Sequence, residues 1–399
     1  MVFPSPSSAF RDTQIHHRDH STDKFSKTYD SIITWIHLTS REYIMTSNLN
    51  FDSETTGSEA AKALGASIRG KTVVITGISP AGIGASTALA IASQGPEALI
   101  LASRTAHKLD QVAADIGQKY PSANVQKVTL DLSSLDSVRE AAAQIDKLVD
   151  HVDVLINNAG VSSHTRDPIQ TPGDTVVDLN FFTNHLGPFM LTNLLLPKLR
   201  AAANKQGASR GSTRIINLSS HGHQLSPIRF YDYQIHHYVY DGVPDSQKPP
   251  KGLPDGFLRL NDGYPGFIGY GQSKTANILH ATELTRRLIK KGDDIIALSV
   301  HPGSIATELS RHLDEEGLET IGNTAPGGKW KSLDQGAATT IVAAFDPKIS
   351  ELDIGGEVFG YFSDCQLGDH LLADHAKDPE NAHMLFQESE RMLGVKTDL

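Results

Sequence analysis

Short apolar runs alternate with segments of helix-forming residues from residue 71 onward. Continuous apolar runs of about four to eight residues are typical of strands that helices cover on both faces. Seven strands are predicted, at 72–76, 98–102, 125–130, 152–157, 214–218, 295–300 and 357–361. The first three helices between them are predicted at 85–93, 105–119 and 134–149. This alternation predicts an α/β fold with a doubly wound parallel sheet.

Residues 1–69 have a different character, rich in Ser, Thr, Asp and His. Their apolar run at 31–36 is too short for a signal-peptide core, and scattered aspartates argue against a transit peptide. Met45 is a second plausible start. We predict a largely disordered N-terminal extension at 1–69, in which residues 1–44 are a tail or an over-extended gene model. The sheet domain is predicted at 70–365, followed by a C-terminal helical tail at 366–399.

Composition narrows the class of protein. Of 399 residues, 39% are apolar, which is enough for a sizeable core. The chain contains 36 Lys and Arg residues and 46 Asp and Glu residues. The net charge of −10 argues against nucleic acid as the main partner, and no run approaches the about 18 apolar residues of a membrane helix. The single Cys365 excludes an internal disulfide and favours a reducing, cytoplasmic location. Because the histidines lack ligand spacing, no metal site is expected.

A glycine loop at 76–84 follows the first predicted strand and opens the first helix. Glycines there let the backbone approach a pyrophosphate, which then lies on the helix N-terminus. We therefore expect Gly77, Gly82, Ile83 and Gly84 to bind a dinucleotide. A plain glycine-rich turn is the alternative.

The ends of the next strands indicate which dinucleotide binds. The second strand ends at Ser103 and Arg104 without an acid, which favours a 2′-phosphate and so NADP(H), although Arg104 could simply be solvated. Asp131 follows the third strand, where it could contact an adenine edge or start a helix. Asn158 ends the fourth strand, where a doubly wound sheet has its ligand crevice.

Tyr270 and Lys274 are the candidate chemical pair. Residues four apart share a helix face, so the ammonium group would favour the phenolate and lower the tyrosine pKa. Such a tyrosine can exchange a proton with a substrate hydroxyl while hydride moves to or from a nicotinamide. Ser219 and Ser220 close the fifth strand, and the 302–307 segment after the sixth could hold the carboxamide end of the nicotinamide.

These motifs, in this order, resemble the short-chain dehydrogenase/reductase family over about residues 70–365. The segments 184–187 and 361–365 are similar to its retinol dehydrogenase and WW-domain oxidoreductase branch. The resemblance implies a catalytic tetrad with Tyr270 as general acid/base, Lys274 lowering its pKa and holding ribose, Ser220 orienting the carbonyl, and Asn184 helping to hold a relay water. It further implies cofactor contacts that include Asn158, Tyr270, Lys274, Ile305 and Thr307.

Two departures from the family pattern stand out. Four residues separate Gly77 from Gly82, and Pro80 removes a backbone donor, which the hydroxyl of Ser79 could replace. The insertion 221–269 places 49 residues between Ser220 and Tyr270 and is rich in Pro and aromatic residues. A lid of this kind predicts a bulky, fairly apolar substrate, and the alternative is a surface excursion or an oligomer contact.

The sequence therefore predicts an NADP(H)-dependent oxidoreductase that interconverts a carbonyl and an alcohol on a small molecule. The alternative from another class is a catalytically weak dinucleotide-binding scaffold or sensor of the same fold. A sugar-nucleotide epimerase is disfavoured by the run at 157–160 and by the lack of a large C-terminal substrate domain. Because the resembled family often pairs its tetrad helices, a homo-oligomer is possible.

Overall fold

The structure is a computed structural model that describes residues 46–236, 239–311 and 313–399. Ten strands lie within these residues. They are β1 Thr72–Thr76, β2 Ala98–Ser103, β3 Val125–Thr129, β4 Val154–Asn157, β5 Pro168–Gln170, β6 Val176–Asp178, β7 Thr213–Leu218, β8 Ile295–His301, β9 Tyr361–Ser363 and β10 Gln366–Leu367. Eight of them form one sheet in the order β3-β2-β1-β4-β7-β8-β9-β10, while β5 and β6 form a separate antiparallel pair. All neighbours in the large sheet are parallel except β9 and β10. The predicted doubly wound α/β fold is confirmed.

Helices cover both faces of this sheet. They are α1 Gly57–Ala63, α2 Gly65–Ile68, α3 Ile83–Ala92, α4 Ala106–Lys119, α5 Leu135–Leu148, α6 Leu179–Phe181, α7 Gly187–Ala203, α8 Asp255–Leu258, α9 Gly266–Lys291, α10 Glu315–Gly322, α11 Leu333–Phe345 and α12 Pro379–Leu393. One apolar core joins the sheet to α1, α3, α4 and α11, and a second joins it to α5, α7, α9 and α12. Burial on both sides explains why the strand runs are continuously apolar. No helix in the described ranges combines the length and apolar character needed to cross a membrane.

The seventh strand begins later than its apolar pattern predicts, at Tyr361 instead of residue 357. The preceding residues form a tight turn in which the amide of Gly355 donates to the carbonyl of Val358 and Gly360 has φ +75°. The predicted C-terminal tail also contributes to the sheet, because β10 pairs with β9 before α12 begins. The domain boundary predicted at residue 365 therefore divides a strand pair.

Residues 46–69 are not disordered, and the prediction for this part of the extension is wrong. Thr56 starts α1 with a capping box to Glu59, and α1 packs against α11 so closely that a Cβ on Gly57 would lie 2.8 Å from the Cβ of Ala337. Such contacts between small residues give little hydrophobic signal in the sequence. The prediction for residues 1–44 lies outside the described residues.

The insertion 221–269 is anchored to the core by its own aromatic residues. The ring of Tyr233 packs 5.2 Å from that of Phe181, and the buried hydroxyl of Tyr264 donates to Asp178 at 3.0 Å. Both tyrosines are buried, so they fix the insertion to the core, and the predicted substrate lid stays a prediction. His237 and Tyr238 of the same aromatic-rich insertion lie outside the described residues.

Candidate active site

A cleft of about 550 Å³ opens at the carboxyl ends of β1–β4 and is closed on one side by α9 and the segment after β8. Ten of the twelve predicted cofactor-binding residues line it: Gly77, Ser79, Gly82, Ile83, Arg104, Asp131, Asn158, Tyr270, Lys274 and Thr307. Gly84 and Ile305 are not among the lining residues. The apolar part of the wall includes Val161, Leu179 and Leu218.

The glycine loop is held by close backbone packing. Gly77 has φ +76°, and a Cβ there would lie 2.5 Å from the Cα of Ala159. The side-chain amide of Asn158 donates to the carbonyls of Thr76 at 2.8 Å and Gly77 at 3.2 Å. A Cβ on Gly84 would lie 2.6 Å from this amide nitrogen. Gly84 and the Asn158 amide thus hold the loop backbone in place, and the cofactor contacts expected of both residues stay predictions.

The segment after β8 contains Ile305 and Thr307, two predicted cofactor-binding residues that lie in different surroundings. Thr307 lines the cleft, and its hydroxyl accepts from the amide of Leu309 at 3.3 Å. Ile305 pairs through its backbone with Lys331, and its side chain lies against Gly336 of α11. Ile305 is therefore directed to the helix layer, which corrects its predicted role at the cofactor.

Two cations stand on the wall where β2 ends. Arg104 is exposed and lines the cleft, and Lys108 lines it from the first turn of α4. Lys108 was not predicted from the sequence, although its spacing of four residues from Arg104 could have indicated a second cation at the same site. Asp131 lines the cleft and also accepts from the amide of Ser133 at 2.9 Å and from its hydroxyl at 2.6 Å. Asp131 thus holds the turn before α5, which is itself capped by Ser134, and its contact with an adenine edge stays a prediction.

Tyr270 and Lys274 project from α9, as their spacing predicts. The Lys274 ammonium lies 5.4 Å from the centroid of the Tyr270 ring and donates to the carbonyl of Leu218 at 3.0 Å. The Ser220 side chain favours the ionised form of the Tyr270 phenol and lowers its pKa. Ser219 lines the cleft and Ser220 does not, but the Ser219 hydroxyl donates to the carbonyl of Lys274 at 2.8 Å. Of the two serines, Ser220 is the one whose hydroxyl meets the phenol.

Burial dominates the protonation of this pair. It raises the pKa of Tyr270 to about 12, against a smaller lowering by the Ser220 hydrogen bond. It also lowers the pKa of Lys274 to about 8. The expectation that Lys274 lowers the tyrosine pKa is not met, because the ammonium faces the ring and a carbonyl instead of the phenol oxygen. At neutral pH the phenol is protonated and can donate a proton.

Asn184 lies in a single π-helical turn, Phe182–Leu186, instead of a regular helix. Its side chain accepts from the amide of Val161 at 2.8 Å and donates to the carbonyl of Val161 and the hydroxyl of Ser273, both at 2.9 Å. A Cβ on Gly160 would lie 3.3 Å from the Lys274 nitrogen and 3.4 Å from the Asn184 side-chain oxygen. Asn184 therefore ties the end of β4 to the helix that carries Tyr270.

Comparisons with known proteins agree with this arrangement. Residues 71–234 match the family model for short chain dehydrogenase. The chain is 36% identical to Short-chain dehydrogenase TIC 32 A, chloroplastic, of Brassica napus (74% of this chain, 81% of that one). It is 35% identical to Retinol dehydrogenase 13 of Homo sapiens (83% and 87%). A crystal structure of an uncharacterized protein from Mycobacterium Paratuberculosis is similar, with 29% identity, a TM-score of 0.56 and coverage of 83% of this chain and 96% of that one. Because such relatives match most of its length, the chain belongs to the short-chain dehydrogenase/reductase family of oxidoreductases.

Proposed function

We propose that this protein is an NADP(H)-dependent oxidoreductase that interconverts a carbonyl and an alcohol on a bulky, fairly apolar small molecule. The observation that carries the proposal is the placement of Tyr270 and Lys274 together on the wall of the cleft, one helical turn apart on α9, with the ammonium 5.4 Å from the centroid of the phenol ring. Lys274 on the same helix places a cation beside it. A phenol, a hydroxyl and an ammonium in this order suit proton transfer to a carbonyl oxygen.

The cleft residues fit a nicotinamide dinucleotide. Gly77 has no Cβ where the loop backbone must lie against Ala159, and Gly82 starts α3 without a side-chain cap, so the first amides of α3 are available to a phosphate. When bound, the dinucleotide donates or accepts the hydride. Lys274 would hold its ribose and Thr307 its carboxamide end.

The protein's own residues would manage the proton. The Ser220 hydroxyl orients the carbonyl oxygen, and the Tyr270 hydroxyl donates its proton to that oxygen as the alcohol forms. Of the groups beside the phenol, Ser220 is the one that favours the phenolate formed in this step. Asn184 acts as a positioning residue, since its side-chain bonds hold Val161 and α9 together. The relay water implied by the resemblance stays a prediction.

The preference for NADP(H) and for an apolar substrate rests on separate features. Arg104 and Lys108 supply two cations near the end of β2, where a 2′-phosphate would lie. Val161, Leu179 and Leu218 supply apolar wall. A relative is named for retinol, which is itself a bulky apolar alcohol. These features support NADPH and an apolar ketone, aldehyde or alcohol.

Tyr270→Phe tests the acid/base assignment. We expect turnover of NADPH with a panel of bulky ketones and aldehydes to fall by about 10²–10⁴-fold, because only the proton donor is lost. NADPH binding, measured by fluorescence titration, should change by less than about twofold, because the ring and its packing remain. Turnover retained by the folded variant would remove Tyr270 from this role.

Location and assembly remain predictions. The buried thiol of Cys365 supports a reducing compartment, and we propose the cytoplasm, although two relatives are named chloroplastic. The face of α9 that could pair with a second copy is packed by α12 of the same chain, including the buried ring of Phe386. Cell fractionation tests the location, and light scattering tests whether a homo-oligomer forms.

A further inference from the structure

A carboxylate lies between two donor groups at the mouth of the cleft. One oxygen of Glu308 accepts from the Lys108 ammonium at 2.6 Å and from the Ser79 hydroxyl at 3.0 Å. The ammonium and the hydroxyl are themselves 3.5 Å apart. We call Ser79, Lys108 and Glu308 the carboxylate gate.

The three gate residues come from three separate segments that line the cleft. Ser79 belongs to the glycine loop, Lys108 to the first turn of α4, and Glu308 to the short turn after Thr307. Lys108 lies with Arg104 near the end of β2, where the 2′-phosphate of NADP(H) would lie. A hydroxyl and an ammonium are the donors that phosphate oxygens bind, and a carboxylate oxygen is an acceptor of the same kind.

We propose that Glu308 competes with the dinucleotide: its carboxylate occupies, on Ser79 and Lys108, the position that a phosphate oxygen of the dinucleotide takes. Binding exchanges one anion for another and releases the segment after Thr307 from the glycine loop. This inference rests on the proposed function and adds one determinant of cofactor affinity, Glu308 as the competitor of the phosphate on Ser79 and Lys108.

The gate is weak enough to open. The Lys108 and Glu308 side chains keep 31% and 43% of their surface exposed, and ion pairs this exposed contribute little net free energy. The 2′-phosphate of NADP(H) is a monoester, which carries more negative charge than a carboxylate and can therefore displace it. Loss of the competitor should strengthen binding by a modest factor, about three- to tenfold.

Glu308→Gln in the full-length chain tests the proposal. We expect NADPH to bind about three- to tenfold more tightly in fluorescence titration and to associate faster in stopped flow, because the amide holds Lys108 less strongly. Glu315→Gln is the matched control, since it removes an exposed acid from the same segment outside the gate. It should leave the affinity within about twofold of the wild type.

Lys108→Met, made in the wild-type and Glu308→Gln backgrounds, separates the gate from a general charge effect. We expect weaker NADPH binding in both and a much smaller gain from Glu308→Gln once Lys108 is absent. The proposal is overturned if Glu308→Gln binds no more tightly than wild type, or if Glu315→Gln gives the same gain. Folded wild type that binds neither NADPH nor NADH would instead overturn the proposed function, and the gate with it.

Discussion

Two adjacent serines at the end of β7 have different partners. The Ser219 hydroxyl is buried and donates to the carbonyl of Lys274, so it holds α9 against the sheet. The Ser220 hydroxyl is half-buried, accepts from the amide of Gly222 at 3.0 Å and bonds to the Tyr270 phenol. The first serine is therefore structural, and the second is the one that we propose meets a substrate oxygen.

Alanine at each serine separates these roles. Ser220→Ala should lower kcat by about 100-fold while changing the free energy of unfolding by less than about 1 kcal/mol, because it removes a donor to the reacting oxygen. Ser219→Ala should cost about 1–2 kcal/mol of stability and leave kcat within a few-fold of wild type. Urea unfolding and steady-state kinetics on both variants check this pair. The reverse pattern would assign the substrate contact to Ser219.

At the residue scale, the identities of the site could be read from the sequence, but its electrostatics could not. Tyr270 and Lys274 were predictable because helix spacing alone places them on one face. The raised pKa of Tyr270 was not, because it depends on burial by segments distant in sequence. The gate was not predictable either, since Lys108 and Glu308 are 200 residues apart.

At the element scale, the glycine loop accommodates the four residues between Gly77 and Gly82 in a local turn. The amide of Gly82 donates to the carbonyl of Ser79 at 2.9 Å, which brings the extra residue into a tight bend before α3. The strand ahead of the loop stays in register with both neighbours, β2 and β4. The departure from the family pattern thus alters the loop and leaves the sheet intact.

Gly77→Ala tests how far the loop depends on close packing, with Gly95→Ala as the matched control. Both positions have positive φ, +76° and +72°, but a Cβ at Gly95 meets nothing within 4 Å. Gly95→Ala should cost only the conformational strain, about 1–2 kcal/mol, and leave NADPH binding unchanged. Gly77→Ala should lose more stability and at least about tenfold in NADPH affinity, because the loop must move from Ala159. Equal behaviour of the two variants would contradict a packed cradle.

Elements with a strong apolar period were predictable, and those built from small residues or from backbone turns were not. The strands β1, β2, β4, β7 and β8 follow from their apolar runs and β3 from a weaker one, whereas the short β5 and β6 were not predicted. β9 was misplaced because a turn around Gly360 uses residues that suit a strand. The helix α1 was missed because its contacts with α11 involve Gly and Ala, whose burial gives a weak pattern.

At the scale of the whole molecule, segments from Thr76 to Arg311 meet at one edge of the sheet to form the cleft. The chain carries a net charge of −10, so a phosphate must be attracted by local cations instead of the overall field. Arg104 and Lys108 provide such cations on one wall. This local charge supports the proposed preference for the phosphorylated dinucleotide.

Fluorescence titration of the full-length chain with NADPH and, separately, with NADH is the most direct test of the account. We expect NADPH to bind at least about tenfold more tightly than NADH. We also expect Arg104→Asp to remove most of this difference, because the 2′-phosphate loses its cationic partner. Folded protein that binds neither dinucleotide, or binds NADH as tightly as NADPH, would contradict the account.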